Sequence, residues 1–206
     1  MPQCNSSIPS APDVSILVQP GYASSGDDHW QTHWENAYGY RRIEQTDWLM
    51  PQVEDWTHQI ELAVSKCPGK VILVAHSLGC IAIAHWAKKT LLSPRIVGAL
   101  LVAPADVESP YHTPDEVRNF SPIPLSPLGF RSTVIASQND PFMEMPKSRG
   151  LAEVWGAEFV DAGKLGHINS EAKLELWPDG HRHLLDLLVE RTDAPSTNAA
   201  VNVRFS

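Results

Sequence analysis

The sequence predicts a three-layer α/β/α sandwich built on about six mainly parallel strands, and three observations predict it. Short apolar runs bounded by turn residues alternate with longer segments of helical period. These runs are apolar almost without interruption, as expected of strands that carry helices on both faces. One of them, VILVA at 71–75, passes without a polar pause into Ser77 and Gly79 and then into a helical segment.

Taken in chain order, strands are expected at 14–18, 42–45 (a short one), 71–75, 96–102, 132–137 and 158–161. Helical period marks 52–67, where Val53, Trp56, Ile60, Leu62 and Ala63 form an apolar stripe, and also 78–90, 145–155 and 177–191. Right-handed crossovers through these helices stack the strands into one sheet. The stretch VQPGYASSGDDHW after the first strand is read as a loop. Prolines at 104, 110, 114, 122, 124 and 127 break any long element there, so 104–127 is expected to be a loop or broken cap after a strand end, and no large lid domain is expected. Residues 1–191 are read as a single domain with a loose arm at 1–12, and the polar stretch 192–206 as a flexible tail.

Composition narrows the function classes. A chain of 206 residues in one domain buries roughly 70% of the surface its unfolded form exposes. Apolar residues make up 43% and charged residues 19%, as in an ordinary globular protein. No apolar run reaches the ~18 residues of a membrane helix, so no membrane partner is expected. The N-terminus lacks a basic segment followed by an apolar one, which makes the cytoplasm the expected location. With a net charge of −8 and scattered lysines and arginines, a nucleic-acid partner is not expected either. Cys4, Cys67 and Cys80 form no CxxC or Cys/His spacing and are expected to be reduced and mostly inert.

The serine at the strand exit carries the chemistry. A buried strand, a sharp turn and a helix around a serine is the context of a nucleophile elbow, G-x-S-x-G, whose small neighbours let strained backbone pass close to adjacent elements. Here the pattern is Ala75-His76-Ser77-Leu78-Gly79, with alanine in the first position. The competing interpretation is a tight turn in which Ser77 serves only as a helix N-cap.

A serine hydroxyl is a poor nucleophile without a base, so the chain must supply a histidine and an acid. His167, in AGKLGHINS after the last strand, lies where a loop at the carboxyl edge of the sheet faces the elbow. Asp140, in SQNDPF after the preceding strand, is the favoured acid. Pro141 biases it toward extended backbone, and its carboxylate would hold the His167 Nδ1 proton. Asp106, in VAPADVES, also follows a strand and competes for that role. His29 with His33, and His181 with His183, are expected to be exposed or capping. The N–H groups of Leu78, at a helix N-terminus, and of Tyr22, next to Gly21 in the first loop, are the expected oxyanion donors, each worth about 3 kcal/mol.

These residues belong to longer familiar stretches: LVQPGYASSGDDHWQTHWE, DWLMPQVEDWTHQI, LVAHSLGCIAIAHWA, GALLVAP, ASQNDPF, WGAEFVDAGKLGHIN and WPDG. Over 14–191 the chain resembles the small serine-hydrolase family of the α/β-hydrolase superfamily. That family includes the retinoblastoma-binding serine hydrolase and many short bacterial proteins of esterase type. The resemblance implies a compact α/β-hydrolase fold with a triad on Ser77, Asp140 and His167. It also implies hydrolysis of small carboxylic esters, with no metal or organic cofactor. Trp34 and Trp48 match motif positions and are read as packing or pocket wall. The resemblance leaves open a binding or regulatory protein that keeps the fold, with a protein partner unknown, and an acyltransferase or thioesterase that uses the same triad.

Overall fold

Six strands, β1 (Val14–Gln19), β2 (Arg41–Arg42), β3 (Lys70–His76), β4 (Ile96–Val102), β5 (Ser132–Ala136) and β6 (Glu158–Asp161), form one sheet in the order β2-β1-β3-β4-β5-β6. Every pairing is parallel. The computed structural model describes residues 14–189, so the expected N-terminal arm, the expected tail and Cys4 lie outside the described residues. The helices are α1 (Trp30–Tyr38), α2 (Val53–Ser65), α3 (Leu78–Ala87), α4 (Met145–Trp155) and α5 (Pro178–Leu188). None is long and apolar enough to cross a membrane.

Alternation along the strands sorts the core into two layers. Leu73, Ala75, Leu101 and Val134 pack with Trp56 of α2, Ile81 of α3 and Trp155 of α4 on one face. Val18, Val74, Val102 and Ile135 pack with Trp30 and Trp34 of α1 and Leu184 and Leu187 of α5 on the other. Successive strand residues point to opposite faces, so a sheet covered on both sides has no room for a polar alternation. α3 is apolar around its whole circumference, which fits a helix with eight buried residues at the centre of the molecule.

Two local expectations need correction. The short second strand pairs over Arg41–Arg42, not 42–45. Only these residues match Leu17 and Val18 in register, after which Ile43 donates its N–H to the Val18 carbonyl and Gln45 turns inward to Gln19. The loop after β1 also contains a helix that the polarity of WQTHWENAY conceals: α1 starts at the His29 cap and ends at Gly39, whose φ of 70° supplies the left-handed C-cap. In 104–127 the regular structure is a single 3-10 turn, Asp115–Phe120.

Arg95, just before β4, gathers carbonyls from the end of α2. It donates to Val64 (3.0 Å), Gly69 (2.8 Å) and Cys67. Helix C-terminal carbonyls have no intrahelical partner, so Arg95→Ala leaves several part-buried acceptors to find other donors. We expect urea melts of Arg95→Ala to show a loss of about 2 kcal/mol, with the circular dichroism spectrum unchanged below the transition.

Candidate active site

Ser77 stands between β3 and α3 with φ 54° and ψ −123°, a conformation that costs a non-glycine residue about 1–3 kcal/mol. Neighbouring backbone holds it there. Its N–H donates to the Val102 carbonyl of β4 (3.0 Å), and its carbonyl accepts from Cys80 (3.0 Å). A Cβ on Gly79 would lie 2.5 Å from the Gln19 carbonyl oxygen and 2.6 Å from that of Pro20, so only glycine lets the chain after β1 lie against α3. A Cβ on Gly21 would meet the Ser77 Cβ at 2.8 Å and the Leu78 nitrogen at 3.3 Å. The first loop therefore presses onto the turn, and Tyr22 and Leu78 line one cavity beside Ser77.

The structure brings the three sequence-selected side chains together. His167 Nε2 lies 2.8 Å from Ser77 Oγ, and its Nδ1 lies 2.9 Å from both carboxylate oxygens of Asp140. Both side chains are nearly buried, with 8% of His167 and 3% of Asp140 exposed. Asp140 Oδ1 also accepts the Phe142 N–H (2.9 Å), and the Phe142 ring meets His167 edge-on at 4.6 Å between centroids. Asp106 is elsewhere. Its Oδ1 accepts from Lys147 Nζ (2.6 Å) and from the Glu108 N–H (3.1 Å). Lys147 also reaches Glu108 (3.0 Å), which makes Asp106 part of a clamp between the proline-rich segment and α4.

Several residues that position the site gave no sequence signal of their own. Asn139 Oδ1 accepts the Gly166 N–H (2.9 Å) and the Ser137 hydroxyl (3.0 Å), while Ser137 Oγ accepts the Leu165 N–H (2.9 Å). These bonds tie the loop bearing His167 to the loop bearing Asp140. Arg42 donates to the Ser24 hydroxyl, the Ser25 carbonyl, Thr32 and Glu35, so β2 holds the first loop and α1 together. Gln19, Gln31 and Gln45 form a buried polar network beneath that loop. Each is an ordinary polar residue in sequence; the signal lies only in the three-dimensional meeting.

Trp34 and Trp48 serve as packing. Trp34 is fully buried and donates its indole N–H to the Leu176 carbonyl (2.7 Å), while Trp48 packs edge-on to Trp56. His181 is half-buried, hydrogen-bonded to the Tyr40 hydroxyl (2.8 Å) and stacked on Tyr38. His29 caps α1 as one of the two expected roles, but it is buried rather than exposed. It sits 4.7 Å from the His76 ring, which in turn sits 4.8 Å from His167. His76 Nε2 lies 2.9 Å from the His167 carbonyl, an acceptor, so His76 donates there. Burial, with neighbouring imidazoles adding to it, holds His29 down to about 3 and His76 well below the usual histidine value. Burial pushes the Cys80 thiol up, away from reactive thiolate.

The cavity holds about 240 Å³. Ala105, Pro114 and Val117 of the proline-rich segment, with Phe142, supply an apolar wall on one side. None of its lining residues is a lysine, arginine, aspartate or glutamate.

The profile of the serine hydrolase family matches residues 16–186. YdeN of Bacillus subtilis strain 168, described as a hydrolase, is 27% identical over 160 residues, 74% of this chain and 84% of YdeN. Its solved structure aligns over 85% of this chain and 99% of its own with a TM-score of 0.67, at 21% identity in that superposition. A YdeN-like hydrolase of Pectobacterium atrosepticum aligns at 34% identity and TM-score 0.75, over 85% of this chain and 90% of that one. At the level of fold alone, α/β hydrolase domain-containing protein 10 from mouse aligns at 16% identity and TM-score 0.64, over 85% and 90% of the two chains.

The neutral histidines have a consequence for acid stability. Below about 6.5 the unfolded chain protonates position 29, while the native ring stays neutral until about 3. The unfolded state then binds more protons, so stability falls as pH drops through that window. From pH 7 to pH 5 this ring alone is expected to remove about 2 kcal/mol. Urea melts at the two pH values are expected to show a smaller drop for His29→Asn than for the native chain.

Proposed function

The chain belongs to the serine hydrolase family, and on that premise we propose that it hydrolyses small carboxylic esters through an acyl-enzyme on Ser77. The observation that carries this is the position of His167, 2.8 Å from the Ser77 hydroxyl on one side and 2.9 Å from the Asp140 carboxylate on the other. With Nδ1–H donating to Asp140, Nε2 is unprotonated and accepts the Ser77 hydroxyl proton as the oxygen attacks the ester carbonyl. Asp140 fixes that tautomer and stabilises the imidazolium once it forms. The N–H groups of Leu78 and Tyr22 take the developing oxyanion, and the positive end of α3 supports the first of them.

When the tetrahedral intermediate collapses, the imidazolium returns its proton to the departing alkoxide, which leaves as an alcohol. Water then attacks the acyl-serine with His167 as base, and the acid is released. Short acyl chains suit the cavity, since about 240 Å³ falls below the ~300–1,000 Å³ of pockets for drug-sized ligands. Its uncharged lining favours neutral esters, because a charged group entering there would lose water without gaining a counter-ion.

Labelling with a fluorophosphonate probe is expected for the native chain and absent for Ser77→Ala; equal labelling of both would remove Ser77 as nucleophile. Among the acids, Asp140→Asn is expected to lower kcat on a short ester by about 10⁴-fold while the fold persists, because the wrong imidazole tautomer is then held. Asp106→Asn is expected to weaken the Lys147 clamp in melts and to leave kcat within a few-fold. A reversal of the two kcat effects would assign the role to Asp106.

A further inference from the structure

His76 sits in the turn itself, next to Ser77, and the proposed mechanism gives it no task. Its ring is buried between those of His29 (4.7 Å between centroids) and His167 (4.8 Å). Nε2 lies 2.9 Å from the main-chain carbonyl oxygen of His167, an acceptor, so Nε2 carries the proton and donates it. Burial keeps the ring neutral well below the usual histidine value, so at ordinary working pH it meets His167 as a dipole and not as a like charge. The bond joins residues 91 apart in the chain, one of them covalently next to the nucleophile and the other the base. Packing alone does not account for an imidazole here. Leucine fills a similar volume without bringing into the core a polar group that must be satisfied.

The backbone that this bond grips is strained. Ile168, the residue after the base, is β-branched and held at φ 50°, in a region such side chains rarely adopt. Strain of this kind persists only where the surroundings over-determine it. Two side-chain donors hold consecutive carbonyls here: His76 takes that of His167, and the Trp30 indole takes that of Ile168 (2.8 Å). Just upstream, Ser137 Oγ and Asn139 Oδ1 accept the N–H groups of Leu165 and Gly166. Of these four bonds, the one from His76 alone ties the peptide group of the base to the turn that carries the nucleophile.

We infer that His76 is a positioning residue: by holding the His167 carbonyl, it sets the His167 imidazole at bonding distance from Ser77 Oγ and the Asp140 carboxylate. The role rests on the reading of Ser77 as nucleophile and His167 as base. His76 itself passes no proton and contributes through geometry. Proton transfer needs the base within about 2.6–3.2 Å of the hydroxyl, and a misplacement of about 1 Å can cost about 10²-fold.

The test compares His76→Leu, which removes the donor, with His76→Gln, whose amide N–H reaches about as far along the side chain as Nε2–H does. A fluorophosphonate probe counts reactive sites, so kcat on a short ester is expressed per labelled site, and lost folded protein is separated from a misplaced base. In His76→Leu the count is expected to stay near native, while the labelling rate and kcat per site fall about 10²-fold with KM within a few-fold. His76→Gln is expected to recover both to within about tenfold of native. A His76→Leu protein whose kcat per site stays within a few-fold of native overturns the proposal, as does a His76→Gln protein no faster than His76→Leu. Proton NMR without ester reads the ring itself: the His167 Nδ1–H resonance, moved downfield by its bond to Asp140, is expected to shift or broaden in His76→Leu and to return in His76→Gln. A resonance identical in all three proteins overturns the proposal. In the native chain, which needs no variant to fold, a scalar coupling is expected between His76 Nε2 and the His167 carbonyl carbon across the hydrogen bond, and its absence overturns the proposal as well. Native protein that neither labels nor turns over an ester would instead count against Ser77 as nucleophile, and the NMR readouts are independent of that result.

Discussion

The structure depends on one close approach of backbone to backbone, where the chain leaving β1 lies against the turn between β3 and α3. Gly79 has no room for a Cβ beneath the Gln19 and Pro20 carbonyls, and Gly21 has none above Ser77. Two glycines on different segments thus solve one steric problem from opposite sides. The same approach sets Tyr22 beside the N-terminus of α3 and Ser77 in its positive-φ conformation. Strain of this kind persists only where the surroundings over-determine it. Here they include the Ser77 N–H bond to β4, the Arg42 bonds to the first loop and the buried glutamines beneath it.

Burial places three imidazoles in a row, each with a different task. His167 meets serine and aspartate; His76 donates to the His167 carbonyl; His29 caps α1. Keeping two of them neutral avoids like charge beside His167, which the proposed mechanism turns into an imidazolium. That arrangement costs stability in acid, because the unfolded chain can protonate what the native core cannot. The loop carrying His167 is held from both sides, by Asn139 and Ser137 on one and by the Trp30 indole bonded to the Ile168 carbonyl (2.8 Å) on the other.

The features legible in sequence were those written in local pattern. Near-continuous apolar runs marked the strands, and small residues around Ser77 marked the turn. Asp140 and His167 stood out because each follows a strand whose carboxyl end must face that turn. What stayed hidden depends on partners far along the chain. Asp106 and Asp140 look alike as aspartates after strands, and they differ because Lys147, 41 residues beyond Asp106, claims the former. α1 shows no period in sequence because its buried face is only Trp30, Gln31 and Trp34 in nine residues. Spacing leaves His29 and His181 exposed or capping; His29 does cap α1, but burial and ring contacts put both against tryptophan or tyrosine.

The covalent step is the centre of the proposed chemistry, and acid-quenched incubation with a short ester followed by peptide mass spectrometry reads it directly. An acyl group is expected on the peptide containing Ser77, at higher occupancy when water attack is slowed by low temperature. Steady hydrolysis with Ser77 unmodified throughout, or an acyl group on another residue, would contradict it.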